Sequence, residues 1–319
     1  MNGYSLGIDT SNYKTSVALV DKDDNIIYDE RVFLDVPKGA LGLRQQDALF
    51  QHIVNLPKLL EGAFAAANDG KIEIVSASNK PRPASGSYMP CFLAGENQAK
   101  VIASLLECQL GFFSHQEGHL LAATRFTELK ERDEYIFFHF SGGTTEILKY
   151  NKGEIEILGN SLDISFGQLL DRVGSAMEFS FPAGERIDEM ASQFTAKEGY
   201  QNLLPRIKID ELNFNLSGIE TATIRLIDSV NHGPLSYMLM ERVLECIEKV
   251  IEAANAKYGI KDYLFAGGVS SSHFIRNNIG ITRKKKEGIN IHFSDPRLSS
   301  DNAVGIAFLG GDKIWRANQ

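Results

Sequence analysis

Residues 135–150 read YIFFHFSGGTTEILKY, in which a short polar turn separates two apolar runs. This pattern predicts two strands, 135–140 and 146–150, and a third strand is predicted over 154–158. The chain opens with the same unit, because YSLGIDTSNYKTSVALV at 4–20 predicts strands over 4–8 and 15–20, followed by a strand over 26–32. The repeated unit indicates an internal duplication with a domain boundary near residue 128.

Each unit carries a polar turn between its first two strands, DTSNYK at 9–14 and SGGTT at 141–145. Backbone N–H groups and hydroxyls in such a turn can surround an anion, and a plain hairpin loop is the alternative. Two like domains with such turns predict a nucleotide and metal cleft between them. The predicted fold class is therefore α/β, an actin-like ATPase (ASKHA) fold of two duplicated RNase H-like domains, 1–128 and 129–319. For the closing helix, within 303–319, packing back on the first domain is an alternative.

The segment 114–119 reads SHQEGH and predicts the start of a helix. Ser114 and Glu117 have the spacing of a capping box, with Glu117 as a cap rather than a catalytic base. His115 and His119 lie four residues apart, so they share one helix face and can bind one metal ion. By spacing alone, two exposed or core-edge histidines are the alternative. The metalloprotease motif is not matched, since it needs a Glu directly after the first His.

Periodicity and turn residues predict the remaining elements. Helices are expected over 46–68, 95–106, 165–177, 185–193, 220–229, 236–258 and 303–309, strands over 263–266 and 289–293, and a functional flap over 80–90. Gly267 and Gly268 follow a buried strand, where small residues let a phosphorylated ligand approach the backbone. Asp301, considered alone, is an N-cap of the closing helix.

Composition excludes several classes of protein. The 319 residues are 43% hydrophobic and 23% charged, and no apolar run reaches the length of a membrane span. No signal-peptide pattern opens the chain, and the three cysteines form no Cys-x-x-Cys pair, so we expect a cytoplasmic protein without a thiolate zinc site. The net charge of -8 disfavours broad nucleic-acid binding. The basic run 283–286 either touches phosphate or is a solvated loop.

Taken together and in this order, several motifs resemble one family, the catalytic subunit of the tRNA threonylcarbamoyladenosine synthase, formerly called O-sialoglycoprotein endopeptidase. The resemblance covers nearly the whole chain. Its motifs are Leu6–Ser11, His115–Leu120, Ser141–Thr145, Asp171, Phe181–Gly184, Phe214–Gly218, Ala266–Val269 and Ser300–Ala303.

The resemblance implies transfer of a threonylcarbamoyl group from an acyl-adenylate to N6 of an adenosine in tRNA. It implies one divalent metal ion, iron or zinc, held by His115, His119 and Asp301. Some family members have a metal-binding Tyr at the strand position of His139, which faces away from Phe138 and Phe140 by strand alternation. His139 is therefore a candidate fourth ligand, with a hydrogen-bonded strand histidine as the alternative.

The resemblance also implies an ATP- or AMP-type nucleotide. Lys14 and Asp171 are the candidate catalytic residues. The candidate nucleotide contacts are Ser11, Ser141, Gly142, Gly143, Thr144, Thr145, Asp171, Gly184, Gly267, Gly268 and Ser272.

The chain departs from the family pattern at positions that shape the substrate. Lys14 replaces a carboxylate in the first turn, where its cation favours phosphate. Thr144 replaces a His, Ser272 an Asn and Glu220 a Lys, and 79–83 replaces a Gly-Pro-Gly-Leu loop. These departures suggest a diverged paralogue.

Other functions remain open at this point. They are a diverged actin-like ATPase, a small-molecule carbamoyltransferase, or a non-catalytic nucleotide-binding subunit. The expected partners are an adenine nucleotide, tRNA, and either other subunits of a threonylcarbamoylation complex or a second copy of the chain.

Overall fold

The computed structural model describes residues 2–11, 13–36, 43–196, 201–279, 288–299 and 302–316. The strands are β1 Gly3–Thr10, β2 Lys14–Asp21, β3 Ile26–Phe33, β4 Lys71–Lys80, β5 Gln109–Ser114, β6 Glu134–Phe140, β7 Thr145–Asn151, β8 Glu154–Asn160, β9 Ile209–Asp210, β10 Asn213–Phe214, β11 Asp262–Ala266 and β12 Asn290–Phe293. The helices are α1 Gln45–Ala67, α2 Leu93–Leu106, α3 His115–Thr124, α4 Phe166–Ala176, α5 Gly184–Gln193, α6 Ser217–Ile224, α7 His232–Tyr258, α8 His273–Asn278 and α9 Val304–Trp315.

Two five-stranded sheets carry the predicted duplication. The first has the order β3-β2-β1-β4-β5, and the second, read from its other edge, has the matching order β8-β7-β6-β11-β12. In each sheet the opening three strands are antiparallel and the last two run parallel to the first of them. The internal repeat read from the sequence is therefore confirmed.

The contacts divide the chain into two compact units, Met1–Phe126 with Ser300–Gln319, and Thr127–Ser299. The first unit has a core of apolar side chains between its sheet and helices α1 and α2. The second has an aromatic core, in which Phe138 stacks on Phe265 with ring centroids 4.6 Å apart. Among the helices that the structure describes, none combines the length and the hydropathy needed to cross a lipid bilayer.

Helix α9 packs within the first unit. The hydroxyl of Ser5 on β1 donates to the carbonyl of Ala307 at 2.6 Å. The buried Arg125 donates to Asp312 at 2.6 Å, and its guanidinium lies 4.4 Å from the ring centre of Phe308. These contacts fasten the last helix to β1 and to the end of α3.

Helices α3 and α9 cross at two glycines. A Cβ on Gly305 would lie 1.8 Å from the carbonyl oxygen of Gly118 and 3.0 Å from the backbone nitrogen of Ala122. No side chain fits there, because the obstructing atoms are backbone. The first turn of α9 therefore lies directly against the part of α3 between His115 and His119.

The fold differs from the sequence prediction in several places. Strand β4 was not predicted, because it has the small residues Ser76, Ala77 and Ser78 at its centre, which have low strand propensity. Small residues are needed there, since a Cβ on Gly310 of α9 would come within 2.1 Å of Ser76 Oγ. The hairpin of β9 and β10 was also missed, because each strand has only two residues.

The predicted helix 220–229 is wrong at both ends. Helix α6 spans Ser217–Ile224, because the carboxylate of Asp163 accepts the N–H groups of Leu216 and Ser217 at 2.8 and 3.0 Å and starts the helix earlier. Beyond its end, the N–H groups of Leu226 and Ile227 bond three residues back, to Thr223 and Ile224. The chain there forms tight turns instead of an α-helix.

Substitution Gly305→Ala should destabilise the protein by about 1–3 kcal/mol, because the added methyl group meets the backbone of α3. The midpoint of urea unfolding measures the change. Gly218→Ala, also a helical glycine but with no atom within 4 Å of an added Cβ, is the matched control and should leave stability unchanged or raise it. Equal midpoints for the two variants would contradict this packing account.

Candidate metal and nucleotide site

The carboxyl ends of three parallel strands meet at one edge of the first sheet. β1 ends with Asp9 and Thr10, β4 ends at Lys80, two residues after Ser78, and β5 ends at Ser114, which pairs with Lys80. Ligands bind at this edge in open α/β sheets. The sequence predicted a site at the end of β5, and the structure adds the ends of β1 and β4 to it.

Helix α3 begins where the capping box predicted. The N–H of Glu117 donates to Ser114 Oγ at 3.2 Å, and the N–H of Ser114 donates to Glu117 Oε2 at 2.6 Å. Glu117 is therefore a cap, as predicted. The reciprocal bonds fix the first helical turn and with it the position of His115.

His115 and His119 face one another on this helix. Their Nε2 atoms are 2.9 Å apart, and their rings meet edge to face with centroids 4.3 Å apart. Two imidazoles that share an ion at metal–nitrogen distances of about 2.0–2.1 Å have nitrogens about 3.0–3.4 Å apart. The pair therefore fits a metal ion after a small opening of the side chains.

No complete set of metal ligands is found in the described part of the chain. Within it, no group of three or more His, Cys, Asp and Glu side chains is close enough to hold a metal ion. Asp301, the third ligand implied by the family resemblance, lies outside the described residues. Its predicted role as N-cap lies outside the described residues too, and in the described part the N-cap of α9 is Ala303, with the N–H of Val304 donating to Asn302 Oδ1 at 3.0 Å.

Asp9 is the residue at this edge that the sequence analysis missed as a partner of the histidines. Its side chain is fully buried, and its two carboxylate oxygens lie 3.1 and 3.0 Å from Nδ1 of His115. The hydroxyl of Ser78 donates to the same carboxylate. The signal available in the sequence was an Asp directly after the first predicted strand.

Burial near Asp9 favours the uncharged forms of His52 and Cys91. Burial lowers the pKa of His52, against the opposing effects of the Asp9 charge and of the Ser11 backbone. Burial, with the Asp9 charge in addition, raises the pKa of the Cys91 thiol to about 12. Cys91 is therefore a thiol at neutral pH and not a nucleophile.

The first turn is only partly described, because Asn12 lies outside the described residues. The Ser11 hydroxyl is buried and finds no hydrogen-bond partner among the residues that the structure describes. Lys14 is also buried, on β2, and its ammonium lies 4.6 Å from the ring centre of Phe33. A catalytic or phosphate-binding role of Lys14 stays a prediction.

The second sheet presents its polar turn at the equivalent edge. The N–H of Ser141 donates to the carbonyl of Thr144 at 2.8 Å, and the hydroxyl of Ser165 donates to the carbonyl of Gly142 at 2.6 Å. The N–H of Phe166 donates to Thr145 Oγ1 at 2.8 Å. These bonds hold the turn at 141–145 against the N-terminus of α4.

Gly142 and Gly143 are exposed, and an added Cβ on either would meet no atom within 4 Å. Gly267, at the end of β11, lies against the same turn. It has φ +95, and a Cβ there would come within 2.2 Å of the Phe140 carbonyl oxygen. The structure thus brings together the predicted nucleotide residues of the turn and Gly267, whose neighbour is Gly268.

Asp171 and Gly184 also meet. Asp171 Oδ1 accepts the N–H groups of Ala183 and Gly184 at 2.8 and 3.2 Å and so caps helix α5.

Ser272 lies at the start of helix α8. Its hydroxyl donates to Asp188, which uses its one donor, and its oxygen accepts the N–H of Ile275 at 3.0 Å and so caps α8.

His139 lies on β6, opposite Glu146 and Ala266 in the neighbouring strands. Its ring stacks on Phe137, with centroids 5.9 Å apart, while Phe138 contacts Phe140 on the other face. The predicted strand alternation is confirmed. Metal ligation by His139 stays a prediction.

A model of one protein family matches this chain. It describes tRNA N6-adenosine threonylcarbamoyltransferase and covers residues 40–308. The curated relative from Thermotoga neapolitana, which carries that name, is 28% identical over 319 residues, with 98% of this chain and 94% of the relative covered. The relative of the same name from Archaeoglobus fulgidus is 25% identical, with 96% and 90% covered.

Solved structures support the fold. HypF from T. kodakarensis matches 97% of this chain over 48% of its own, with a TM-score of 0.65 and 14% identity. A ROK family glucokinase from Streptomyces griseus, in complex with glucose and AMPPNP, matches 97% of this chain over 99% of its own, with a TM-score of 0.52 and 10% identity. The two duplicated sheets have the actin-like ATPase fold that the sequence predicted.

The family model covers most of the chain, and the relatives match it over nearly their whole length. The chain therefore belongs to the tRNA N6-adenosine threonylcarbamoyltransferase family, a family of acyltransferases.

Proposed function

We propose that this protein transfers a threonylcarbamoyl group from an acyl-adenylate to N6 of an adenosine in tRNA, with a bound divalent ion, iron or zinc. The observation that carries the proposal is the histidine pair, whose Nε2 atoms are 2.9 Å apart at the carboxyl edge of the first sheet. Neutral imidazole nitrogens suit either metal. We also propose that the protein acts in the cytoplasm, where its proposed tRNA partner is found.

His115 and His119 are the proposed ligands on α3, and Asp301 is the proposed third. The support for Asp301 comes from the helix that follows it, because Gly305 lies against Gly118, between the two histidines in sequence. His139 is the proposed fourth ligand. An ion held by these residues would supply Lewis-acid polarisation of the acyl carbonyl of the donor.

The proposed nucleotide contacts belong to the second unit. Gly142 and Gly143 leave open space beside the turn, and their backbone N–H groups are of the kind that binds phosphate. Asp171 and Gly184 are proposed to approach the same adenylate. In the first unit, the buried hydroxyl of Ser11 is available to a phosphate oxygen.

The transfer itself is an acyl substitution. The N6 nitrogen attacks the carbonyl carbon, a C–N bond forms, the C–O bond to the phosphate breaks, and AMP leaves while N6 loses one proton. The residues of this chain bind and orient the two reactants. Because Cys91 is a buried thiol, no covalent enzyme intermediate is needed or proposed.

Transfer is tested with purified protein, zinc or iron(II), threonylcarbamoyl-adenylate and unmodified tRNA. Mass spectrometry of the digested tRNA should find the threonylcarbamoylated adenosine, and tRNA that is already modified should gain nothing. His119→Ala should lower the rate at least about 100-fold, because it removes a metal ligand.

His292→Ala is the matched control. His292 lies on β12 and bonds to Asp262 at 3.3 Å, away from the turn residues, so the rate should stay within about twofold, as for surface changes. If the protein binds both zinc and nucleotide but leaves the tRNA unmodified, the proposed transfer is contradicted. Hydrolysis of ATP without transfer would instead favour a diverged ATPase.

Lys14 gives a separate prediction. If its ammonium moves from Phe33 to a phosphate, Lys14→Ala should weaken binding of ATP about tenfold and leave binding of adenosine unchanged, because only ATP carries phosphate. Isothermal titration calorimetry measures both. Lys149→Ala, which removes an ammonium that bonds to Glu134 at 3.1 Å, is the control. An equal loss for the two ligands would contradict the phosphate role.

A further inference from the structure

We propose that Asp9 is a positioning residue that holds His115 in the tautomer with the proton on Nδ1 and the lone pair on Nε2, the nitrogen that would bind a metal ion. The inference deepens the proposed function and rests on its metal at the histidine pair. It assigns Asp9 to the histidines of α3, and not to the anion-binding turn in which the sequence analysis placed it.

The contact between the two side chains sets the proton. Nδ1 of His115 lies 3.1 Å from one carboxylate oxygen of Asp9 and 3.0 Å from the other. An ionised carboxylate only accepts hydrogen bonds, so Nδ1 donates. A neutral imidazole has one N–H, and its Nε2 is then a lone pair directed at His119.

Asp9 is itself held in place. Its side chain is fully buried, so the carboxylate cannot turn toward water. The hydroxyl of Ser78, on the neighbouring parallel strand β4, donates to Oδ1. The hydroxyl of Ser16, on β2, donates to the Asp9 backbone carbonyl at 3.3 Å. The bond from Ser78 therefore holds the carboxylate, and the bond from Ser16 holds only the backbone of Asp9.

Asp9 acts through His115 and does not ligate the ion directly. The two nitrogens of an imidazole point in different directions, so an ion on Nε2 lies away from a carboxylate on Nδ1. In agreement, the described residues contain no three-membered group that could hold a metal. The indirect contact still supplies negative charge, which offsets the unfavourable placement of a cation at the N-terminus of α3.

The tautomer of His115 also determines that of His119. When Nε2 of His115 is the acceptor, the Nε2 of His119, 2.9 Å away, must donate the bond. For His119 to bind a metal through that nitrogen, its proton has to move to Nδ1. Asp9 thus makes His115 the ligand that is ready in the metal-free protein and His119 the one that must rearrange.

The test replaces Asp9 with Asn, which keeps its size but can turn an N–H toward Nδ1. His115 then becomes the acceptor at Nδ1 and carries its proton on Nε2. Zinc affinity, measured by competition with a chromophoric chelator, should fall about 10- to 100-fold, as for other residues that orient metal-binding histidines. Asp9→Glu retains the carboxylate and should recover part of the affinity.

Ser16→Ala is the matched control, because it removes a buried hydrogen bond at the same residue without touching the carboxylate. Its zinc affinity should equal that of the wild type. Ser78→Ala, which loosens Asp9 mildly, should give a loss of a few fold and serves if Asp9→Asn does not fold. An affinity of Asp9→Asn equal to that of Ser16→Ala would overturn the proposal.

A second readout needs no metal. Long-range ¹⁵N–¹H NMR of the ring nitrogens should find His115 protonated at Nδ1 in the metal-free wild type and at Nε2 in Asp9→Asn. The Nε2 form in the wild type would overturn the role of Asp9. If the wild type fails to bind zinc while the tautomers are as expected, the proposed metal fails and the assignment of Asp9 holds.

Discussion

The contact of a buried carboxylate with one ring nitrogen of a histidine is the interaction on which this site depends. Asp9 has no access to water, and its charge is compensated by donors from His115 and Ser78. A buried charge with a missing donor costs several kcal/mol, so this edge of the sheet tolerates little change. The same contact leaves the other nitrogen of His115 beside His119, where the chemistry is proposed to occur.

Packing against the last helix also holds α3 in place. Gly118 lies against Gly305 of that helix, where there is no room for a Cβ on Gly305. The position of α3 is therefore set by the capping box at its start and by a backbone contact in its middle. The family resemblance places its third metal ligand, Asp301, shortly before the same glycine.

Local patterns predicted the parts of the site that depend on short sequence separations. The capping box at Ser114, the shared face of the histidines and the alternation around His139 are set within a few residues, and all three are confirmed. The partnership of Asp9 with His115 spans 106 positions. It follows only from the parallel order of β1, β4 and β5, and β4 was missed because of the small residues that packing against the last helix requires.

X-ray absorption at the zinc edge of the metal-loaded protein shows directly whether the histidine pair on α3 binds the ion. The account predicts scattering from two or more imidazoles at about 2.0–2.1 Å together with oxygen ligands. One imidazole contribution should be lost in His119→Ala. A first shell of oxygen atoms alone in the wild type, or an unchanged spectrum in the variant, would contradict it.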